Sequence, residues 1–175
     1  SVHVNRLDLF DAKLPEITLE ITAAKMKFAM ELDLDEEEAR QWTAIKNLVG
    51  QFIEADSYLF SIPMWNFSIP YKLKQYIDLI THPGLTFTSD ENGPRGLSSG
   101  PATLIYSRGG DYSPKEGKPD PFDFQSPYMK AWTSLVGLAP VSEVLVQGTM
   151  GGPDALSKTI EAQKSQLTAL AKGVG

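Results

Sequence analysis

The stretch from Tyr58 to Pro70 limits the possible folds of this chain more than any other. Tyr58-Leu59-Phe60-Ser61-Ile62 is short, apolar and rich in residues that suit a pleated, buried surface, and it stops at Pro63. Met64-Trp65-Asn66-Phe67-Ser68-Ile69-Pro70 follows with no spacer, and Tyr71 to Ile80 then sets Leu73, Tyr76, Ile77 and Ile80 at helical core spacing. A buried strand that leaves through a short loop straight into a helix is the building unit of an open α/β sheet. In such sheets ligands sit beyond the carboxyl ends of the strands. A second strand, Ala102 to Tyr106, leaves in the same manner through Ser107-Arg108-Gly109-Gly110. The two exits are expected to face each other and to grip a flat ligand with a polar edge.

The remaining segments fit the same alternation. Val2 to Leu9 alternates apolar and polar residues and predicts a strand with one wet face. Thr22 to Met30 is weakly helical, with Met26, Phe28 and Met30 available for packing. Asp35 and Glu38 fit a capping box for a helix running to about Ala55, with Trp42, Ile45, Leu48, Val49, Phe52 and Ile53 inward. His82-Pro83-Gly84 stops the helix that follows Pro70, and Leu85 to Thr88 is a short extended piece before a turn-rich excursion at 90–94. Gly109 to Gln125 is a long loop rich in Gly, Pro and Asp, and loops of that length in compact domains usually carry function. Ser126 to Leu138 predicts a helix, Glu143 to Val146 the last strand, and Pro153 to Lys172 a terminal helix with Leu156, Ile160, Leu167 and Leu170 inward. Four strands alternating with helices argue for a parallel, doubly wound, three-layer α/β sheet in a single domain spanning 1–175.

Composition removes several function classes. A net charge of −6 with no dense Lys/Arg block argues against nucleic acid as a partner. No apolar run approaches the roughly 20 residues of a membrane span, and no secretory signal is visible. The chain has no cysteine, which excludes disulfides and thiolate metal sites and suits a reducing cytoplasm. Asp33 to Glu38 lacks the glycine and spacing of a calcium loop and reads as a solvated helix start, so no metal is expected. Gly148, Gly151 and Gly152 match no phosphate-binding fingerprint and read as the loop before the last helix.

Pro63 to Pro70 with Leu73-Lys74-Gln75-Tyr76-Ile77-Asp78, then Pro83-Gly84-Leu85-Thr86-Phe87, Glu91-Asn92-Gly93-Pro94, Gly96-Leu97 and Ser107-Arg108-Gly109-Gly110 with Tyr112, stand in one order and spacing across nearly the whole chain. In this the chain resembles the FMN-dependent NADH:azo/quinone oxidoreductases. The resemblance implies a flavodoxin-like fold and a homodimer with its active site at the interface. It also implies FMN as cofactor, NADH or NADPH as electron donor, and ping-pong reduction of quinones, azo compounds and nitroaromatics. By the same resemblance, Pro63, Met64, Trp65, Asn66 and Phe67 would bind the flavin ring and ribityl region, and Ser107, Arg108, Gly109 and Gly110 the ring edge. The family's Ser-rich phosphate loop follows the central first strand. No such loop stands before Val2, so that strand, its loop and its helix are expected upstream of Ser1, in a longer protein.

The residues can be weighed on their own chemistry. Gly109 and Gly110 allow backbone N–H groups to approach a ligand edge where charge develops. Trp65 and Phe67 suit either a flavin or the core, and Asn66 either a helix cap or a ligand edge. The Arg108 guanidinium suits either a place near the charge of the flavin's pyrimidine edge or a surface or interface ion pair, and its backbone is expected to matter more than its side chain. His82 and Tyr112 are candidates for the substrate site; against them stand a helix C-terminal histidine favoured by the dipole and a merely exposed loop tyrosine. No side chain reads as an obligatory acid or base, since a redox cofactor would carry the hard chemistry. A flavodoxin-type electron carrier without its own substrate site, and a flavin-free interaction domain, remain open on the same residues.

Overall fold

The structure is a computed structural model and describes residues 2–172. In chain order it contains α1 (Leu19–Ala29), α2 (Glu36–Ile53), β1 (Tyr58–Pro63), α3 (Tyr71–Ile80), β2 (Phe87–Asp90), β3 (Gly93–Gly96), β4 (Ala102–Ser107), α4 (Gln125–Val136), β5 (Val141–Val146) and α5 (Pro153–Lys172). Strands β1, β4 and β5 form one parallel sheet in that order, and β2 and β3 form a separate antiparallel hairpin. The excursion at 90–94 is therefore the turn of a hairpin rather than an irregular loop.

Parallel pairing needs a crossover between neighbouring strands, and helices α3 and α4 supply it. Phe60, Leu104 and Glu143 lie in register on one face of the sheet, as do Ile62, Tyr106 and Leu145. Phe52 of α2 packs on Tyr58 at 4.9 Å between ring centroids, and Trp132 of α4 packs on Phe60 at 5.7 Å. The core closes there with Ile45, Ile77, Leu79, Ile80, Leu104 and Met129, all buried. The register has one consequence for function. Pro63 pairs with Ser107, and Ser107 with Val146, so the exits of all three strands emerge side by side at one end of the sheet.

Helix α2 starts as expected: Asp35 accepts from the Glu38 N–H and the Glu38 carboxylate accepts from the Asp35 N–H, both at 2.9 Å. Lys27 reaches the same carboxylate at 2.6 Å and ties α1 to α2.

Five expectations are corrected. Val2 to Leu9 forms no strand, and Val2 and Val4 are 63% and 78% exposed. Alternation makes ladder bonds only beside another strand, and none among the described residues runs along it. The described strands thus number three in the parallel sheet plus a hairpin, not four in one sheet. Helix α1 buries Ile21 and Ala24, while Met26 and Met30 face out, because the Lys27–Glu38 pair and the helix phase turn the other side toward α2. Ile53 closes α2 in an exposed position. Helix α5 buries none of its residues, and Leu156 and Ile160 stay open, because it lies along β5 at the side of a sheet only three strands wide.

Candidate functional site

The loop after β1 is a tight turn. Trp65 and Ser68 exchange backbone hydrogen bonds at 2.9 and 3.1 Å, and the two residues between them, Asn66 and Phe67, have φ of 47° and 71°. Two consecutive positive φ values define a type I′ turn. Asparagine tolerates that conformation; phenylalanine rarely does. The turn is held from both sides. The Met64 N–H donates to the Ser107 carbonyl at 2.8 Å, and the Phe124 N–H donates to the Phe67 carbonyl at 3.1 Å. The Phe67 ring lies 5.0 Å from Phe122 and 6.3 Å from Tyr112. Trp65 packs at a tilt in a second aromatic group with Phe10 and Tyr71, at 5.5 and 6.3 Å. Trp65 and Phe67 remain 45% and 43% exposed, so neither ring is a core residue. Asn66 does not cap α3: its N-cap is Pro70, with no side-chain bond. A groove of about 590 Å3 opens beside this turn, lined by Ile17, Trp65, Asn66, Tyr71, Lys74 and Tyr128 among others, and it does not reach the 107–110 segment.

The exit from β4 has a different logic. The Arg108 N–H continues the ladder to Val146 at 2.8 Å. After that, three consecutive carbonyls face one neighbour. Arg108 O accepts from the Thr149 N–H at 3.1 Å and from the Thr149 hydroxyl at 3.1 Å. Gly109 O accepts from the Met150 N–H at 3.3 Å and Gly110 O from the Gly148 N–H at 3.1 Å. In a trans peptide the C=O and the following N–H point in opposite directions. With its carbonyls turned toward 148–150, this segment turns the N–H groups of Gly109 and Gly110 to the other side. Among the described residues no group accepts from either. Two adjacent main-chain donors aimed the same way form a small anion-binding concavity.

The Arg108 side chain departs from expectation. Its guanidinium is not at the surface but 1% exposed. Nη1 meets Asp123 Oδ2 at 3.1 Å and Nη2 meets Oδ1 at 3.2 Å, a fork-on-fork pair. Nε donates to Gln125 Oε1 at 3.0 Å, Nη1 also to Gln147 Oε1 at 3.2 Å, and Nη2 to the Ser126 hydroxyl. The Tyr106 ring lies under it at 5.1 Å, and burial, more than the Glu143 carboxylate nearby, pushes the Tyr106 phenol far up. Gln147 extends the network to the long loop. It accepts from the Tyr112 N–H at 3.1 Å and donates to Asp111 Oδ1 at 3.1 Å and Ser113 Oγ at 2.8 Å. Hydrogen bonds from Ser113 hold the Asp111 carboxyl below the ordinary carboxylate range. Asp123, just before α4, also accepts from the Gln125 and Ser126 N–H groups of its first turn at 3.1 and 3.0 Å.

The structure therefore brings together Pro63 to Phe67, Ser107 to Gly110 and Tyr112, whose ring flanks Gly110. It does not bring His82. That residue is 1% exposed, with Nε2 3.1 Å from Lys25 O, Nδ1 2.6 Å from Pro83 O, and its ring edge-on to Trp42 and Phe28. It belongs to the core at the end of α3. Asp123, Gln125, Gln147 and the 148–150 backing loop did not stand out in the sequence. The only hint was the glycine-rich run after β5, which supplies donors to the site segment rather than cradling a phosphate.

These features define a class: an open α/β protein that presents main-chain donors and an aromatic turn beyond the carboxyl ends of its strands. The sequence matches the family described as having a flavodoxin-like fold over residues 1–171. It is 46% identical over 171 residues to an FMN-dependent NADH:quinone oxidoreductase of Desulfotalea psychrophila, covering 97% of this chain and 80% of that protein. A similar protein of Pseudomonas fluorescens is 40% identical over 172 residues, with the same coverage of 97% and 80%. The fold superimposes on an azoreductase from Bacillus anthracis with a TM-score of 0.83 and 30% identity, over 94% of this chain and 79% of the other. An FMN-dependent NADH-azoreductase of the same species, solved in complex with FMN, gives 0.80 and 27% over the same shares of 94% and 79%. The chain belongs to the FMN-dependent NADH:quinone oxidoreductase family, within the flavodoxin-like fold.

Proposed function

We infer that the protein is an FMN-dependent oxidoreductase that uses NADH or NADPH to reduce quinones, azo compounds and nitroaromatics in two half-reactions, with the flavin ring held between 63–67 and 107–110. FMN, when bound, supplies reversible two-electron chemistry that no side chain here provides. The residues present fit such a ring. The observation that carries the reading is the pair of unengaged N–H groups at Gly109 and Gly110, fixed by carbonyls that face 148–150. Donors already oriented stabilise negative charge at a ligand edge without reorganising. The Trp65–Ser68 turn closes the opposite side. Its bond from Met64 to Ser107 O sets the spacing between the two segments. Tyr112, anchored through its N–H to Gln147, lines the approach to Gly110 and excludes water from it.

The aromatic rim supports a homodimer that closes over this site: Phe122 and Phe124 are 54% and 57% exposed beside Trp65 and Phe67. Among the described residues no helix is long and apolar enough to cross a membrane. A chain free of cysteine suits work in the cytoplasm. The test is to add FMN to the full-length protein and follow NADH oxidation with a benzoquinone. A quinone-dependent rate and a yellow protein are expected. Stoichiometric purification with neither flavin binding nor quinone-dependent turnover would overturn the reading.

A further inference from the structure

One residue before the donor pair the chain carries a buried cation, and its charge is matched by a carboxylate. The Arg108 guanidinium, one residue before Gly109, is 1% exposed, and its charge is matched by the Asp123 carboxylate through two contacts at 3.1 and 3.2 Å. Its remaining contacts are neutral: Gln125, Gln147 and Ser126. Asp123 is itself mostly enclosed, with 14% of its side chain exposed. Charges in such surroundings act over several ångströms with little screening. Arg108 is the residue before Gly109 in the chain, so a change in the net charge of this pair bears on a ligand edge received by Gly109 and Gly110.

We propose that Asp123 is a positioning residue that sets the redox potential of the bound flavin by neutralising Arg108. The inference rests on the flavin reading above. A reduced flavin edge carries more negative charge than an oxidised one. With the ion pair intact, the two N–H dipoles rather than a net charge favour the reduced form, and the potential stays low enough to pass electrons to acceptors. With the Asp123 charge removed, Arg108 becomes an uncompensated cation beside that edge, and the reduced form gains.

The test uses the full-length protein loaded with FMN, its midpoint potential measured by equilibration with a reference dye. Asp123→Asn keeps the size and part of the hydrogen bonding. It should raise the affinity ratio of reduced over oxidised FMN by tenfold or more, about 30 mV for a two-electron couple. Ser126→Ala removes a neutral contact to the same two groups and should leave the potential in place. Gln147→Glu adds a second anion at the Arg108 Nη1 position and should lower it. An unchanged or lower potential in a flavin-loaded Asp123→Asn protein overturns the proposal, as does an equal rise in Ser126→Ala. Should Asp123→Asn fail to fold, the Gln147→Glu shift decides: a fall supports the proposal, and no change overturns it. Failure of the wild-type protein to bind FMN would instead remove the flavin reading itself, and the two failures are distinguishable.

Discussion

Phe67 holds a backbone conformation, φ 71°, that bulky residues avoid, and it does so in the turn that closes the site. Strain of this kind, on the order of 1–3 kcal/mol, persists only where surroundings over-determine it. Here the surroundings are the Phe122 and Tyr112 rings and the Phe124 N–H. Phe67→Ala keeps the strain and loses the rings. It should cost about 1–2 kcal/mol of stability in a urea titration and weaken FMN binding by roughly tenfold, a change of 1.4 kcal/mol. Phe67→Gly should be the more stable of the two, since glycine adopts positive φ freely. His82 gives the opposite expectation. With its ring buried and both nitrogens facing carbonyls, His82→Ala should lose about 2–4 kcal/mol while kcat/KM of the folded protein with a quinone stays within about threefold. At this scale the sequence was partly legible. Gly109 and Gly110 announced a close backbone approach, whereas the positive φ of Asn66 and Phe67 did not show. The fate of the Arg108 side chain did not show, because Asp123, Gln125 and Gln147 meet it only in three dimensions.

Elements were legible where two local signals agreed. The β1–loop–α3 unit had apolar strand, proline and helical periodicity in succession, and α2 had both a capping box and an apolar stripe; both formed with nearly the expected ends. Val2 to Leu9 had alternation alone, which says which face would be wet but supplies no partner strand. The first turn of α2 carries a testable pH dependence. The Arg40 guanidinium beside Glu37, and then the Gln41 amide, hold its carboxyl down at about 2, against about 4.3 for an ordinary glutamate. A depressed folded value means stabilisation that is full above the ordinary value and is lost as pH falls through the folded one. The wild type should therefore exceed Glu37→Gln in thermal midpoint at pH 5 by more than it does at pH 2, at low salt. The effect should be small, because the pair is exposed and screened. An identical gap at both pH values would contradict it.

For the whole molecule, one geometric fact organises the rest. Parallel register sets the ends of β1, β4 and β5 level, so three loops from distant parts of the chain meet at one end of the sheet. The sequence predicted two of them as a facing pair. The third, 148–150, became visible only once its N–H groups were found on the carbonyls of 108–110. The exposed aromatics around these loops lead to an expected dimer, which light scattering at micromolar concentration checks: a mass near twice that of the chain supports a shared site, and a monomer counts against it. A narrower point carries the function: the Gly109 and Gly110 N–H groups receive the edge of the flavin ring. Amide hydrogen exchange of the 15N-labelled full-length protein, with and without FMN, reads this out at both residues. Both glycine amides should shift and become strongly protected when FMN binds; FMN bound with those two amides unshifted and still exchanging freely would contradict it.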